Sequence, residues 1–199
     1  NQDLHLASIY FFLHFQYNGW FSFTILGLLS EKLLESGVAY KQLRSIFFVF
    51  TVVCVPAYFL SALWMPIPVF VYVLVVIAAI AQAAGWYWML INVRQVNNKL
   101  HAGLLNPAYI IIMLSLIAFT IKFALQLGST IPALSTIAFG FRPIVIGYLH
   151  LVLLGCISLF IVGYSIHEDV IVVSRQYKTA LVIFISGIIL NEIVLMVQG

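Results

Sequence analysis

The feature that most constrains this chain is a succession of apolar runs, each long enough to cross a hydrocarbon layer and separated by short clusters of charge or proline. The first covers about residues 4–29 and stops at Glu31, Lys32 and Glu35, with Gly37 just beyond. A second follows Arg44 and ends near Trp64, where Pro66 and Pro68 break helix geometry. The third covers about residues 69–91 and carries Trp86, Tyr87 and Trp88, an aromatic cluster of the kind found at headgroup level. The fourth opens with Pro107, which a first helical turn tolerates, and reaches about residue 127. The fifth opens with Arg142 and Pro143 and reaches about residue 166; the sixth covers about residues 179–197. Between the fourth and fifth, residues 128–141 are too few to span twice. With Pro132, Gly140 and several hydroxyls they read as an interfacial or re-entrant loop.

Composition says which solvent these runs face. Of 199 residues, 64% are hydrophobic and 8% charged, with a mean hydropathy of +1.13, against about 25% charged residues in a soluble domain. Such a chain has too little polar surface for water. Soluble enzymes, disulfide frameworks and disordered tails are excluded, and a net charge of +3 is too weak to imply a nucleic-acid partner. Cys54 and Cys156 both fall inside apolar runs and read as packing residues. The sequence starts at Asn1 with no charged segment before its first apolar run, which reads as a processed chain or a fragment. The expected fold is all-α: a polytopic bundle of about six transmembrane helices, with residues 1–199 forming one membrane domain that stands alone or joins a larger bundle.

Orientation follows from lysine and arginine, which cytoplasmic loops retain. Lys32, Lys41 and Arg44 lie in the first loop, Arg94 and Lys99 in the third, and Arg175 and Lys178 in the fifth; the opposite side has Arg142. Odd loops are therefore expected in the cytoplasm and both termini outside. The expected location is the inner (plasma) membrane.

Ionisable groups within a membrane cost about 2.5 kcal/mol or more at the centre and are candidates for function. Four stand out: His14, Lys122, His150 and Glu192. On inward-running helices His14 and His150 fall at one level, about 12 to 15 Å below the outer surface, and Lys122 and Glu192 lie near the outer ends of their helices. The histidines share a pattern. Phe12-Leu13-His14-Phe15 is followed by Gly19, and Tyr148-Leu149-His150-Leu151 by Gly155: an aromatic, Leu, His, an apolar residue, and Gly five after the His. A histidine facing a bundle interior ligates a metal through one ring nitrogen, and small neighbours such as Gly147 leave room for a flat macrocycle. Tyr10, Tyr17 and Asn18 share a face with His14 and are candidates to orient its ring.

Blander roles stay open for each residue. A lone histidine can simply hydrogen-bond a neighbouring helix. Lys122 and Glu192 can form a structural ion pair or snorkel toward the interface, or else line a proton route or polar clamp. Arg142 can be an interfacial anchor or, just outside His150, a partner for carboxylates such as haem propionates. His5 falls on the helix face opposite His14, and His101 and His167 in cytoplasmic loops.

The stretch from Leu13 to Phe21 (Leu-His-Phe-Gln-Tyr-Asn-Gly-Trp-Phe) resembles the histidine-bearing helices of haem-copper oxidase catalytic subunits and nitric oxide reductases. The stretch from Gly147 to Gly155 is similar to the histidine helices of that superfamily and of NnrS-type membrane haem proteins. The resemblance covers two helices of six. It implies a b-type haem, or another metal centre, in the outer half of the membrane, with His14 and His150 as ligands. Members of that superfamily have about twice as many helices and a His-His pair that this chain lacks, so haem rather than a copper-containing oxygen-reducing centre is implied. The chain would be half of a larger protein or a relative retaining one haem.

Three functional classes follow as expectations. The first is a haem protein for electron transfer or for binding oxygen or nitric oxide, an oxidoreductase if it is an enzyme, with a redox partner. The second is a transporter or channel with a Lys/Glu/His polar route. The third is a structural subunit of a larger respiratory complex.

Overall fold

The computed structural model describes residues 2–171 and 174–198, and among them every regular element is a helix. Helix α1 (Gln2–His14), a π-helical stretch (Phe15–Phe21) and α2 (Ser22–Glu35) succeed one another with helical backbone throughout. Helix α3 (Tyr40–Cys54) passes into a 3-10 stretch (Pro56–Ala62), and α4 covers Val69–Gln95. Then come α5 (Asn97–Gly103), α6 (Asn106–Gly128), α7 (Pro132–Gly140) and α8 (Arg142–His150). A second π-helical stretch (Leu151–Ser158) joins α8 to α9 (Leu159–His167), and α10 covers Arg175–Gln198.

Among the described residues four helices are long and apolar enough to cross a membrane: Val69–Gln95, Asn106–Gly128, Arg142–His167 and Gln176–Leu195. The pair Tyr40–Cys54 and Pro56–Ala62, bent by 50°, makes a fifth if counted as one span. Residues 128–141, read from sequence as a loop, hold the nine-residue helix α7, too short to cross.

The second apolar run breaks earlier than its Pro66 and Pro68 suggest. Pro56 has no N–H to give the Val52 carbonyl, and its ring crowds that oxygen. The backbone tightens into a 3-10 turn, in which the Tyr58 N–H bonds the Val55 oxygen three residues back (3.1 Å). In an i to i+4 ladder that N–H would serve the Cys54 carbonyl.

The chain groups into two compact units, Asn1–Leu100 with Phe123–Ile137, and His101–Lys122 with Ala138–Gly199. In the first unit, Val53, Ala57 and Leu60 of the bent span pack on Val75, Ala78 and Ala79 of α4. The small residues allow close approach in a solvent where helices gain little from hydrophobicity and associate by packing. In the second unit, Ala108 and Ile111 of α6 pack with Leu159 and Ile166 of α9 and Ile188 of α10.

The end of α2 shows local sequence setting local structure. Val38 N–H bonds the Leu33 oxygen and Gly37 N–H the Leu34 oxygen, each at 2.9 Å, with Gly37 at φ +103°. This is a Schellman cap, and it needs a left-handed residue. A side chain there costs about 1–2 kcal/mol. Gly37→Ala should therefore lower the unfolding midpoint in detergent by several degrees; an unchanged midpoint would refute the assignment.

Candidate functional site

Two histidines are the candidate sites, one in each unit. His14 is the last residue of α1 and His150 the last of α8, and a π-helical stretch starts directly after each. π-Helical turns are rare and concentrate at functional sites. The correspondence continues further along the chain. Ser22, eight residues after His14, donates its hydroxyl to the Tyr17 oxygen (2.7 Å), and Ser158, eight after His150, donates to the Leu153 oxygen (2.9 Å). Both hydroxyls reach back five residues, the spacing of a π turn. The repeat thus reads aromatic-Leu-His, Gly at plus five and Ser at plus eight. The serines were the part missed from sequence, though the equal spacing was there to find.

In the first unit His14 is 2% exposed. Its Nε2 lies 2.9 Å from the Cys54 carbonyl oxygen. A carbonyl only accepts, so Nε2 carries the proton and Nδ1 the lone pair. The Asn18 amide nitrogen donates to Nδ1 at 3.3 Å. Phe15 and Tyr58 set their rings edge-on to the imidazole, at 5.1 and 6.0 Å. Of the residues expected around His14, Asn18 is on the ring. Tyr10 packs instead against Trp64 (6.4 Å), and Tyr17 serves through its backbone oxygen.

In the second unit α8 and α10 run antiparallel in contact. A Cβ built on Gly147 would lie 3.5 Å from the Leu195 Cβ and 3.8 Å from a Glu192 carboxylate oxygen. The face of α8 on which Gly147 was expected to leave room for a macrocycle is therefore filled by α10. What the missing side chain provides is close approach. That approach puts the Asn191 amide nitrogen 3.2 Å from His150 Nδ1 and brings the Glu192 carboxylate within electrostatic reach of the same ring. Glu192 Oε1 is buried without a hydrogen-bond partner. Among the described residues, His150 Nε2 has no hydrogen bond. Arg142 is exposed at the start of α8, eight residues and about 12 Å along the helix from His150.

Lys122, 1% exposed on α6, has its charge near the Cys156 thiol. Ser115 of α6 donates to the Cys156 carbonyl (2.6 Å), so a side chain serves the irregular backbone of the second π stretch. Among the described residues no three His, Cys, Asp or Glu groups converge as a metal cluster. His101 meets the ring of Tyr109 edge-on at 4.6 Å, and His167 lies 3.9 Å from Glu168. The chain matches no protein family, no curated protein and no solved structure.

Proposed function

We propose that this is a six-span plasma-membrane protein with both termini outside, and that it binds a b-type haem on the His150 imidazole. The helical run from α1 through α2 supplies the sixth span at about residues 4–29. Its inner end is marked by Glu31, Lys32 and Glu35, with Lys32 and Glu35 paired at 3.4 Å. The basic residues that set orientation then collect on one side.

The observation that carries the haem reading is the state of the His150 ring. One nitrogen is held by Asn191 and the other is open. Ligating histidines have this arrangement: the second nitrogen is fixed by a neighbour that sets ring angle and tautomer. A half-turn of the Asn191 carboxamide presents its oxygen to Nδ1–H and leaves the Nε2 lone pair for iron. Haem held there by His150 would supply the chemistry of binding oxygen or nitric oxide or of one-electron transfer. The protein's own part is defined by its residues. Gly147 admits α10, Asn191 orients the imidazole, the surrounding apolar helices keep out water, and the Arg142 guanidinium is suited to a carboxylate at the outer end of α8. The resemblance of the two histidine helices to membrane haem proteins supports this reading. Of the two histidines, His150 would hold the haem; both ring nitrogens of His14 are already engaged.

The test is an absorption spectrum of the detergent-purified protein after incubation with haem. A Soret band that is lost in His150→Ala and retained in His14→Gln is expected. Absence of the band in the native protein, or its survival in His150→Ala, refutes the assignment.

A second reading rests on the Glu192 oxygen left without a partner inside the membrane. Such groups line polar routes in transporters and channels. In that case ion or proton flux into proteoliposomes falls in Glu192→Gln, with no chromophore bound.

A further inference from the structure

Positive charge is distributed unequally between the two units. At one end of the first unit five basic residues, Lys32, Lys41, Arg44, Arg94 and Lys99, stand against two acids, Glu31 and Glu35. In the second unit Arg175 and Lys178 are balanced by Glu168 and Asp169. Both sets of charges are cytoplasmic in the orientation proposed above, so the general retention of positive charge on that side does not account for an excess confined to one unit.

The fold brings the excess to one level. Helices α3 and α4 run antiparallel: Val53 and Ala57 pack with Val75, Ala78 and Ala79, and a Cβ on Gly85 would lie 3.2 Å from Phe50 and 3.4 Å from Val49. Beyond that contact, at 1.5 Å per residue, Lys41 and Arg44 near the start of α3 and Arg94 in the last turn of α4 each lie about 8 to 14 Å further along, in the same direction. Lys99 of α5 joins them, its Nζ 3.4 Å from where a Cβ on Gly37 would stand, in the turn that leads into α3. Lys32 is paired with Glu35. The other four are exposed, and among the described residues none of them pairs with an acid.

Apolar surface runs on from these cations. Phe47 and Phe48, three and four residues after Arg44 and so on its face of α3, are exposed. On α4, Tyr87 and Trp88 are exposed one to two turns before Arg94, as aromatic residues at headgroup level are. Unpaired cations followed by uncovered apolar surface match a molecule with an anionic head and a hydrocarbon tail. A free anion would use only the cations.

We propose that Lys41, Arg44, Arg94 and Lys99 bind the phosphodiester headgroup of an anionic phospholipid of the inner leaflet, with an acyl chain along Phe47 and Phe48. The proposal rests on the spans and orientation given under the proposed function and is independent of what His150 binds.

The test is native mass spectrometry of the full chain in detergent, with phosphatidylglycerol and phosphatidylcholine of identical acyl chains at equal concentration. The native chain should bind phosphatidylglycerol in preference, and less so as salt is raised. A basic residue near an anionic surface contributes about fivefold to binding, so Arg44→Gln and Arg94→Gln should each lower the preference by about that factor. Neutralising all four residues to glutamine should abolish it, whereas Lys178→Gln, at an exposed site of the second unit, should leave it unchanged. No preference in the native chain, an equal loss in Lys178→Gln, or displacement of the lipid by an equal concentration of inorganic phosphate overturns the proposal. Should the fourfold variant fail to accumulate, the single glutamine variants decide.

Orientation is tested separately by labelling Asn98→Cys in intact cells with a membrane-impermeant maleimide, relative to the native chain. Labelling refutes the orientation, and with it the choice of leaflet, whatever the lipid preference in detergent. A protected Asn98→Cys thiol together with no phosphatidylglycerol preference refutes the lipid site and leaves the orientation standing.

Discussion

Gly163→Ala should destabilise the protein by about 1–3 kcal/mol, while Gly187→Ala should be neutral or stabilising. Both glycines lie within helices, α9 and α10, so helix propensity alone favours alanine at each by about 1 kcal/mol. Packing separates them. A Cβ at Gly163 would stand 2.8 Å from Ile112 Cγ1 and 3.2 Å from both the Ala108 oxygen and the Ile112 nitrogen of α6. The isoleucine methylene can shift; the backbone cannot unless α6 moves. At Gly187 a Cβ meets nothing within 4 Å. In a membrane, helices associate by close packing rather than by expulsion of water, so lost contact between α6 and α9 has no hydrophobic compensation. The measurement is the unfolding midpoint of the two variants in the same detergent. A Gly163→Ala protein as stable as Gly187→Ala would show that α6 does not approach α9 as closely as described.

These glycines also mark where the sequence stops being informative. Apolar run length is enough to locate α4, α6, the α8–α9 helix and α10, because hydrocarbon thickness fixes a minimum length and charges or prolines end each run. Which glycine is a contact and which is open depends on the neighbouring helix, and nothing in one helix's sequence encodes that. Gly147 illustrates the difficulty. Its smallness is visible from sequence, but the same smallness serves a macrocycle or an approaching helix, and here it admits Leu195 and Glu192. Pro56 lies inside an otherwise unbroken apolar run, where run length gives no sign of a break. The hydrogen bond between His14 and the Cys54 carbonyl, forty residues apart, appears only when the chain is folded.

The histidine repeat was half legible. Periodicity puts Asn18 on the face of His14, four residues along, and its amide nitrogen lies 3.3 Å from the ring, whereas the π stretch that starts at Phe15 breaks the 3.6-residue geometry on which Tyr17 would share that face. Asn191 carried no signal except its position beside Glu192 in an apolar helix. Its role comes from α10 lying antiparallel on α8, a pairing that pattern analysis of single helices does not reach.

Glu192→Leu should raise stability by about 1–3 kcal/mol while removing whatever activity the second unit supports. The Glu192 Oε1 atom buried without a partner is the reason for the first effect: that oxygen forfeits its hydration and receives no hydrogen bond in return. Leucine fills similar volume without that cost, beside the exposed and already apolar Ile189, Leu190, Ile193 and Val194. The second effect follows from selection. A carboxylate that weakens the fold persists where function needs it, and stability regained at such a site is commonly accompanied by lost activity. Glu192→Gln separates charge from shape, since it keeps the size and polarity and removes only the ionisable group. The unfolding midpoint, the haem spectrum and proteoliposome flux of the native, Gln and Leu proteins together distinguish the possibilities. Under the haem reading both variants keep the His150 ligand and alter the spectrum or ligand affinity; under the transport reading both lose flux. If Glu192→Leu instead loses several kcal/mol, the carboxylate is a structural member of the α8–α10 contact, and its proximity to His150 has no functional meaning.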